Sequence, residues 1–128
     1  TSVKGLLDYS GLTMDDIDFF PMHQANGQIV KSVAMHSGIP KEKYSNKTFT
    51  DYANCGAPSV LSNMCDVLQE KPVGKVMLVS FGVGLSWGCC IVDIKDAYNG
   101  GIIKFRLPEN IPSRMERAEE WIKYFRGE

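Results

Sequence analysis

The chain has 128 residues, 44% of them hydrophobic and 23% charged, with a formal net charge of -1. That is material for one domain with one core, without a basic field for nucleic acid or an acidic membrane surface. No apolar run reaches the ~20 residues of a bilayer span, and no signal-peptide core follows Thr1-Ser2-Val3-Lys4. The absence of an initiator Met, with helical spacing already present at Val3, reads as a chain cut from a longer one.

Val3, Leu6 and Leu7 share a helical face, and Gly11 stops that helix. Thr13 to Asp16 can cap a single turn. Ile17 to Met22 reads as a strand with Pro21 near its end. The spacing of Ala25, Ile29 and Val33, beside Val30 and Ala34, predicts a helix over 25–37 that Gly38-Ile39-Pro40 ends. Lys47 to Thr50 reads as a short strand. Pro58 suits the first turn of a further helix, whose predicted buried stripe is Val60, Leu61, Met64, Cys65 and Leu68. Val76 to Phe81 is a continuous apolar run, as in a strand covered on both faces. Gly82-Val83-Gly84 breaks it, and Ser86 to Ile94 completes an antiparallel hairpin. Asn99-Gly100-Gly101 is a turn, and Ile102 to Leu107 reads as another strand. Ser113 and Glu116 have capping-box spacing ahead of a helix with an apolar stripe of Met115, Ala118, Ile122 and Phe125, expected to pack back onto the body. This order of elements indicates an α/β layered sheet. Two parts are expected: a domain over 1–95 and an extension over 96–128.

Cys55, Cys65, Cys89 and Cys90 show no zinc-site spacing. They read as reduced thiols serving as small buried hydrophobes in a cytoplasmic protein. His23 and Asn54 each stand between a predicted strand and a helix, where α/β sheets gather ligand groups. The positive end of a helix there favours a neutral imidazole with one N–H. Asn54 offers an amide N–H that never ionises. Two such donors converging on one point suit an oxyanion or enolate. Taken singly, a histidine ahead of a helix is more often a cap or a satisfied polar residue, and an asparagine in a loop is usually turn chemistry. Cys55 activated by His23 is a further arrangement that spacing leaves open. Trp87 stands where G-x-G-x-x-G needs its third glycine and a strand follows, so Gly82-Val83-Gly84 is no dinucleotide fingerprint. Its exposed N–H groups remain available to a ligand.

Three segments in this order resemble the beta-ketoacyl-ACP synthase III family. Pro21-Met22-His23-Gln24-Ala25-Asn26 resembles its His-Gln-Ala-Asn segment. Tyr52-Ala53-Asn54-Cys55-Gly56-Ala57-Pro58-Ser59 resembles its Gly-Asn-Thr-Ser-Ala-Ala-Ser segment. Phe81-Gly82-Val83-Gly84-Leu85-Ser86-Trp87-Gly88 resembles its Phe-Gly-Gly-Gly-Phe-Thr-Trp-Gly turn. The resemblance covers about residues 1–95. It implies the C-terminal half of a thiolase-like fold, a mixed sheet with flanking helices, truncated at its N-terminus. It also implies a decarboxylating Claisen condensation on a cytoplasmic homodimer, with acyl-CoA and malonyl-ACP as substrates and neither cofactor nor metal. His23 and Asn54 would then hold the malonyl thioester oxygen as it becomes an enolate. The Val83 N–H would belong to the oxyanion hole, flanked by Gly82 and Gly84. The family's nucleophilic cysteine lies in the other half, so the chain alone is expected to be inactive. The family's frequent arginine for docking acyl carrier protein is Gln28 here, with Lys31 one turn along. Cys55-Gly56 replaces Thr-Ser, and Pro58 replaces an Ala. A ketosynthase of polyketide or other secondary metabolism, and a non-catalytic accessory module, remain alternatives.

Overall fold

The computed structural model describes residues 1–69, 74–103, 106 and 109–127. Its elements are α1 (Ser2–Ser10), α2 (Gly27–Ser37), a 3-10 turn (Lys41–Lys43), α3 (Lys47–Tyr52), α4 (Ser59–Val67), β1 (Lys75–Gly82), β2 (Ser86–Asp93) and α5 (Arg114–Arg126). Caps set the helix ends. Asn26 Oδ1 accepts the Ile29 N–H at 2.8 Å, so α2 begins at Gly27 rather than Ala25. Gly11 and Gly38 close α1 and α2 at φ 68° and 74°, a conformation that costs glycine little.

β1 and β2 pair antiparallel from Lys75↔Asp93 to Gly82↔Ser86. The predicted strand over 17–22 is an extended segment on the opposite side of β1. There Phe19 and Met22 form parallel bridges to Val76 and Val79. Val79 N–H donates to Pro21 O at 2.9 Å, and His23 N–H returns to Val79 O at 2.9 Å. Pro21 fits because the ladder needs its carbonyl and not the N–H it lacks. β1 is therefore central, and Val76, Met77 and Val79 on it are buried. Met77 and Val79 join a core with Val3 and Leu7 of α1, Ile17, Phe20 and Met22, and Val30 and Ala34 of α2. Along most of β2 the residues are exposed or half-buried, as befits an edge strand.

Five expectations are corrected. Lys47 to Thr50 belongs to helix α3, not to a strand. Thr and Phe favour strands in general, but Thr48 is buried in a polar network and the Phe49 N–H donates to Gln24 Oε1 at 3.2 Å, so tertiary contacts override the propensity. On α4 the buried residues are Ser59, Val60, Asn63 and Asp66, whereas Leu61 is 54% exposed. The buried face is the polar one because it is the face with hydrogen-bond partners. The cysteines are free but not core residues: Cys55 and Cys90 are exposed, Cys65 and Cys89 half-buried. Helix α5 has the predicted capping box, with Glu116 N–H donating to Ser113 Oγ and Ser113 N–H to Glu116 Oε2. Every described residue of α5 is nevertheless exposed, so it does not pack back onto the body. Of the strand expected over 102–107, residues 104, 105 and 107 lie outside the described residues, and Ile102, Ile103 and Arg106 are not in a strand.

Candidate active site

The N–H bond of His23 to β1 fixes where its side chain leaves the sheet. Its imidazole then meets two elements. Nδ1 lies 2.6 Å from the hydroxyl of Ser59, the first residue of α4. The ring also stands edge-on to Phe81 near the end of β1, with centroids 5.2 Å apart and planes at 77°. The helix end beside the imidazole is thus that of α4; the helix that follows it in sequence is capped by Asn26.

Below this ring is a buried polar network. Gln24 is fully buried: its Nε2 donates to Met22 O at 3.0 Å and to Ser45 O at 3.2 Å, and its Oε1 accepts from Phe49. Asn63 Nδ2 donates to Thr48 Oγ1 at 3.0 Å, and Thr48 Oγ1 donates to Asp66 Oδ2 at 3.1 Å. Asn63 Oδ1 accepts the Met22 N–H at 3.4 Å. No buried side-chain nitrogen or oxygen among the described residues is left without a partner. A satisfied network of this kind rigidifies what it holds, and here it holds the backbone on either side of His23. Sequence reasoning singled out none of Gln24, Ser59, Asn63 or Asp66 for this task. The available signal was the i, i+4, i+7 spacing of Ser59, Asn63 and Asp66 along α4.

His23 lines an open cleft of about 550 Å³ with Gly56, Ala57, Phe81, Gly82 and Trp87. The structure therefore brings His23 and the glycine turn together. Asn54 is not in that lining; it lies on the exposed segment between α3 and α4. Its Oδ1 accepts the Gly56 N–H at 2.9 Å, which leaves Nδ2 as the free end of the carboxamide among the described residues. Val83 is fully exposed at the hairpin tip, and its φ is not in the left-handed region, so a β-branched side chain is tolerated there. Cys55 donates to Tyr52 O, and no hydrogen bond joins it to His23. Burial pushes the Cys89 thiol up, away from the thiolate that nucleophilic chemistry needs. Gln28 and Lys31 are both exposed on α2.

Residues 7–94 match the family model described as 3-oxoacyl-[acyl-carrier-protein (ACP)] synthase III C terminal. The chain belongs to this family. The beta-ketoacyl-[acyl-carrier-protein] synthase III of Acholeplasma laidlawii is 35% identical over 94 residues, which are 73% of this chain and 30% of that protein. The putative 3-oxoacyl-[acyl-carrier-protein] synthase 3 of Campylobacter jejuni is 32% identical over 102 residues, 80% of this chain and 29% of that protein. The crystal structure of the Pseudomonas aeruginosa 3-oxoacyl-(acyl carrier protein) synthase III aligns with a TM-score of 0.63 at 30% identity, covering 72% of this chain and 30% of its own. The chain thus has the α/β fold of the C-terminal part of these synthases, thiolase-like in type, and spans about 30% of the length of the relatives it matches. His23, Asn54 and the glycine turn all lie inside the matched synthase III region, and α5 lies outside it. No helix among the described residues is long and apolar enough to cross a membrane.

Proposed function

We propose that this chain supplies the enolate-stabilising part of a condensing acyltransferase of fatty acid synthesis, acting in the cytoplasm as a homodimer. The observation that carries the reading is the seating of His23. Its ring is fixed between Ser59 and Phe81 and borders a cleft shared with Gly82 and Gly56. Family membership supplies the substrate class, an acyl-CoA and malonyl-ACP. A cysteine thiolate from the other half of the fold attacks the acyl-CoA carbonyl and expels CoA thiolate. Malonyl-ACP then loses carbon dioxide, and the electrons of the broken C–C bond move into an enolate. His23 donates to that enolate oxygen from the cleft, and the family resemblance assigns Asn54 as the second donor, while the enolate carbon attacks the acyl thioester. The new C–C bond forms, and the cysteine leaves as thiolate. The Val83 N–H holds the acyl oxygen during both attacks, and Gly82 and Gly84 leave its approach open. Each donor contributes roughly 3 kcal/mol to the transition state it faces. Exposed Gln28 and Lys31 offer acyl carrier protein one hydrogen-bonding and one cationic side chain.

The test is a chimera in which this chain replaces the matched C-terminal part of the Acholeplasma relative, restoring a cysteine-bearing half. His23→Ala and Asn54→Ala should each lower decarboxylative condensation by about 10²–10³, the loss typical of one oxyanion donor. Cysteine loading by acyl-CoA should fall less, because its oxyanion hole is elsewhere. The chain alone, as a control, should transfer no acyl group. Near-normal condensation in either variant would sink the reading.

A further inference from the structure

The geometry assigns to Ser59 the role of a positioning residue: its hydroxyl holds His23 in the tautomer that carries its proton on Nε2. This deepens the proposed function by naming what aims the donor. A serine hydroxyl has one proton and two acceptor lone pairs. The Gln24 N–H donates to Ser59 Oγ at 3.1 Å and occupies one pair. Ser59 is 1% exposed, so solvent does not take its proton. Among the described residues the hydroxyl has one further hydrogen-bond partner, His23 Nδ1 at 2.6 Å. A proton on Nδ1 would aim two N–H groups at one oxygen and leave the buried hydroxyl proton without an acceptor, the costly arrangement. The hydroxyl therefore donates to Nδ1, and Nε2 carries the ring's N–H. Nε2 has no hydrogen-bond partner among the described residues, and His23 borders the cleft. Ser59 opens α4, and Asn63 and Asp66 farther along that helix are tied to Thr48, so the hydroxyl is delivered by a rigid element. Edge-on Phe81 blocks rotation of the ring on another side.

The protein contains its own reference. It has two histidines, and His36 Nδ1 lies 2.8 Å from the Ser32 carbonyl oxygen. A carbonyl only accepts, so His36 carries its proton on Nδ1, the opposite tautomer. Two-bond ¹H–¹⁵N correlation spectra of the ¹⁵N-histidine-labelled chain, recorded well above the ordinary histidine range (~6.5), report both rings at once. His23 should show the Nε2–H pattern and His36 the Nδ1–H pattern. Ser59→Ala should turn His23 into a mixture of tautomers, and Ser59→Thr, which keeps the hydroxyl, should restore the Nε2–H pattern. An Nδ1–H ring at His23 in the unaltered chain would overturn the assignment, as would an unchanged Nε2–H ring in Ser59→Ala. The first of these needs no variant and so survives a misfolded one. Because the spectrum needs no activity, a chimera indifferent to His23→Ala would remove the catalytic reading and leave the tautomer assignment standing, whereas an Nδ1–H ring beside a condensation loss in His23→Ala would remove the tautomer assignment and leave His23 needed for condensation.

Discussion

Ala53 has φ 59° and ψ −159°, in a region that essentially only glycine occupies. It ends α3, its N–H still donating to Phe49 O at 2.9 Å, and turns the chain so that Asn54 can fold back onto Gly56. The synthase III segment it resembles has glycine at this place. A side chain held there costs about 1–3 kcal/mol, and a new glycine returns about 0.5–1 kcal/mol through the greater freedom of the unfolded chain. The first effect is larger. Ala53→Gly should therefore stabilise the chain by about 1 kcal/mol, read as a higher urea midpoint at constant m-value. A lower midpoint would show that the conformation is not strained. The same turn explains how Asn54 keeps a donor: its oxygen is consumed locally, and its amide nitrogen is left over.

Among the elements, α5 stands on its own capping chemistry. The Glu116 carboxylate accepts the Ser113 N–H, and that contact with the Ser113 backbone and hydroxyl holds its carboxyl below the ordinary value of 4.5. A carboxyl lowered in the helix favours the helix wherever it is ionised. The contribution is thus complete above the ordinary value and fades as pH falls through the lowered one. Amide-exchange protection in the first turn of α5 should weaken on acidification below about pH 4.5. In Glu116→Gln, protection there should be lower at neutral pH and nearly independent of pH across that window. An acid-insensitive first turn in the unaltered chain would remove Glu116 from the cap. At α4 the deciding element is its polar face. Ser59, Asn63 and Asp66 are buried by their bonds to His23, Gln24, Thr48 and the Met22 backbone, while Leu61 stays wet.

At the scale of the whole molecule, the exposed apolar side chains of the described residues include two clusters. The hairpin tip presents Val83, Leu85 and Trp87, and α5 presents Trp121, Tyr124 and Phe125 as a mutual aromatic cluster with centroids 5.5 to 6.0 Å apart. Burying a large apolar side chain gains about 1.5–3 kcal/mol, so these surfaces favour association. Sedimentation should show self-association that rises with concentration and falls when the chain is ended before Pro112. Since α5 buries nothing, that truncation should change the unfolding free energy by no more than about 0.5 kcal/mol, the scale of an ordinary surface change. A drop of several kcal/mol would mean that the helix docks.

The sequence by itself determined whatever depends on neighbours along the chain. Gly11 and Gly38 stop their helices, Ser113 and Glu116 cap theirs, and the apolar run over 76–81 meets 86–93 across a short glycine turn, because caps, turns and periodicity act within a few residues. The three motifs resembling synthase III were legible for the same reason: each is contiguous. Only the tertiary structure decided which face of α4 turns inward, that Lys47 to Thr50 is helical, and that His23 bonds to Ser59, 36 residues away. Those outcomes rest on hydrogen bonds between groups far apart in sequence. A buried polar network is favourable only when all its members arrive together, so no member announces it alone.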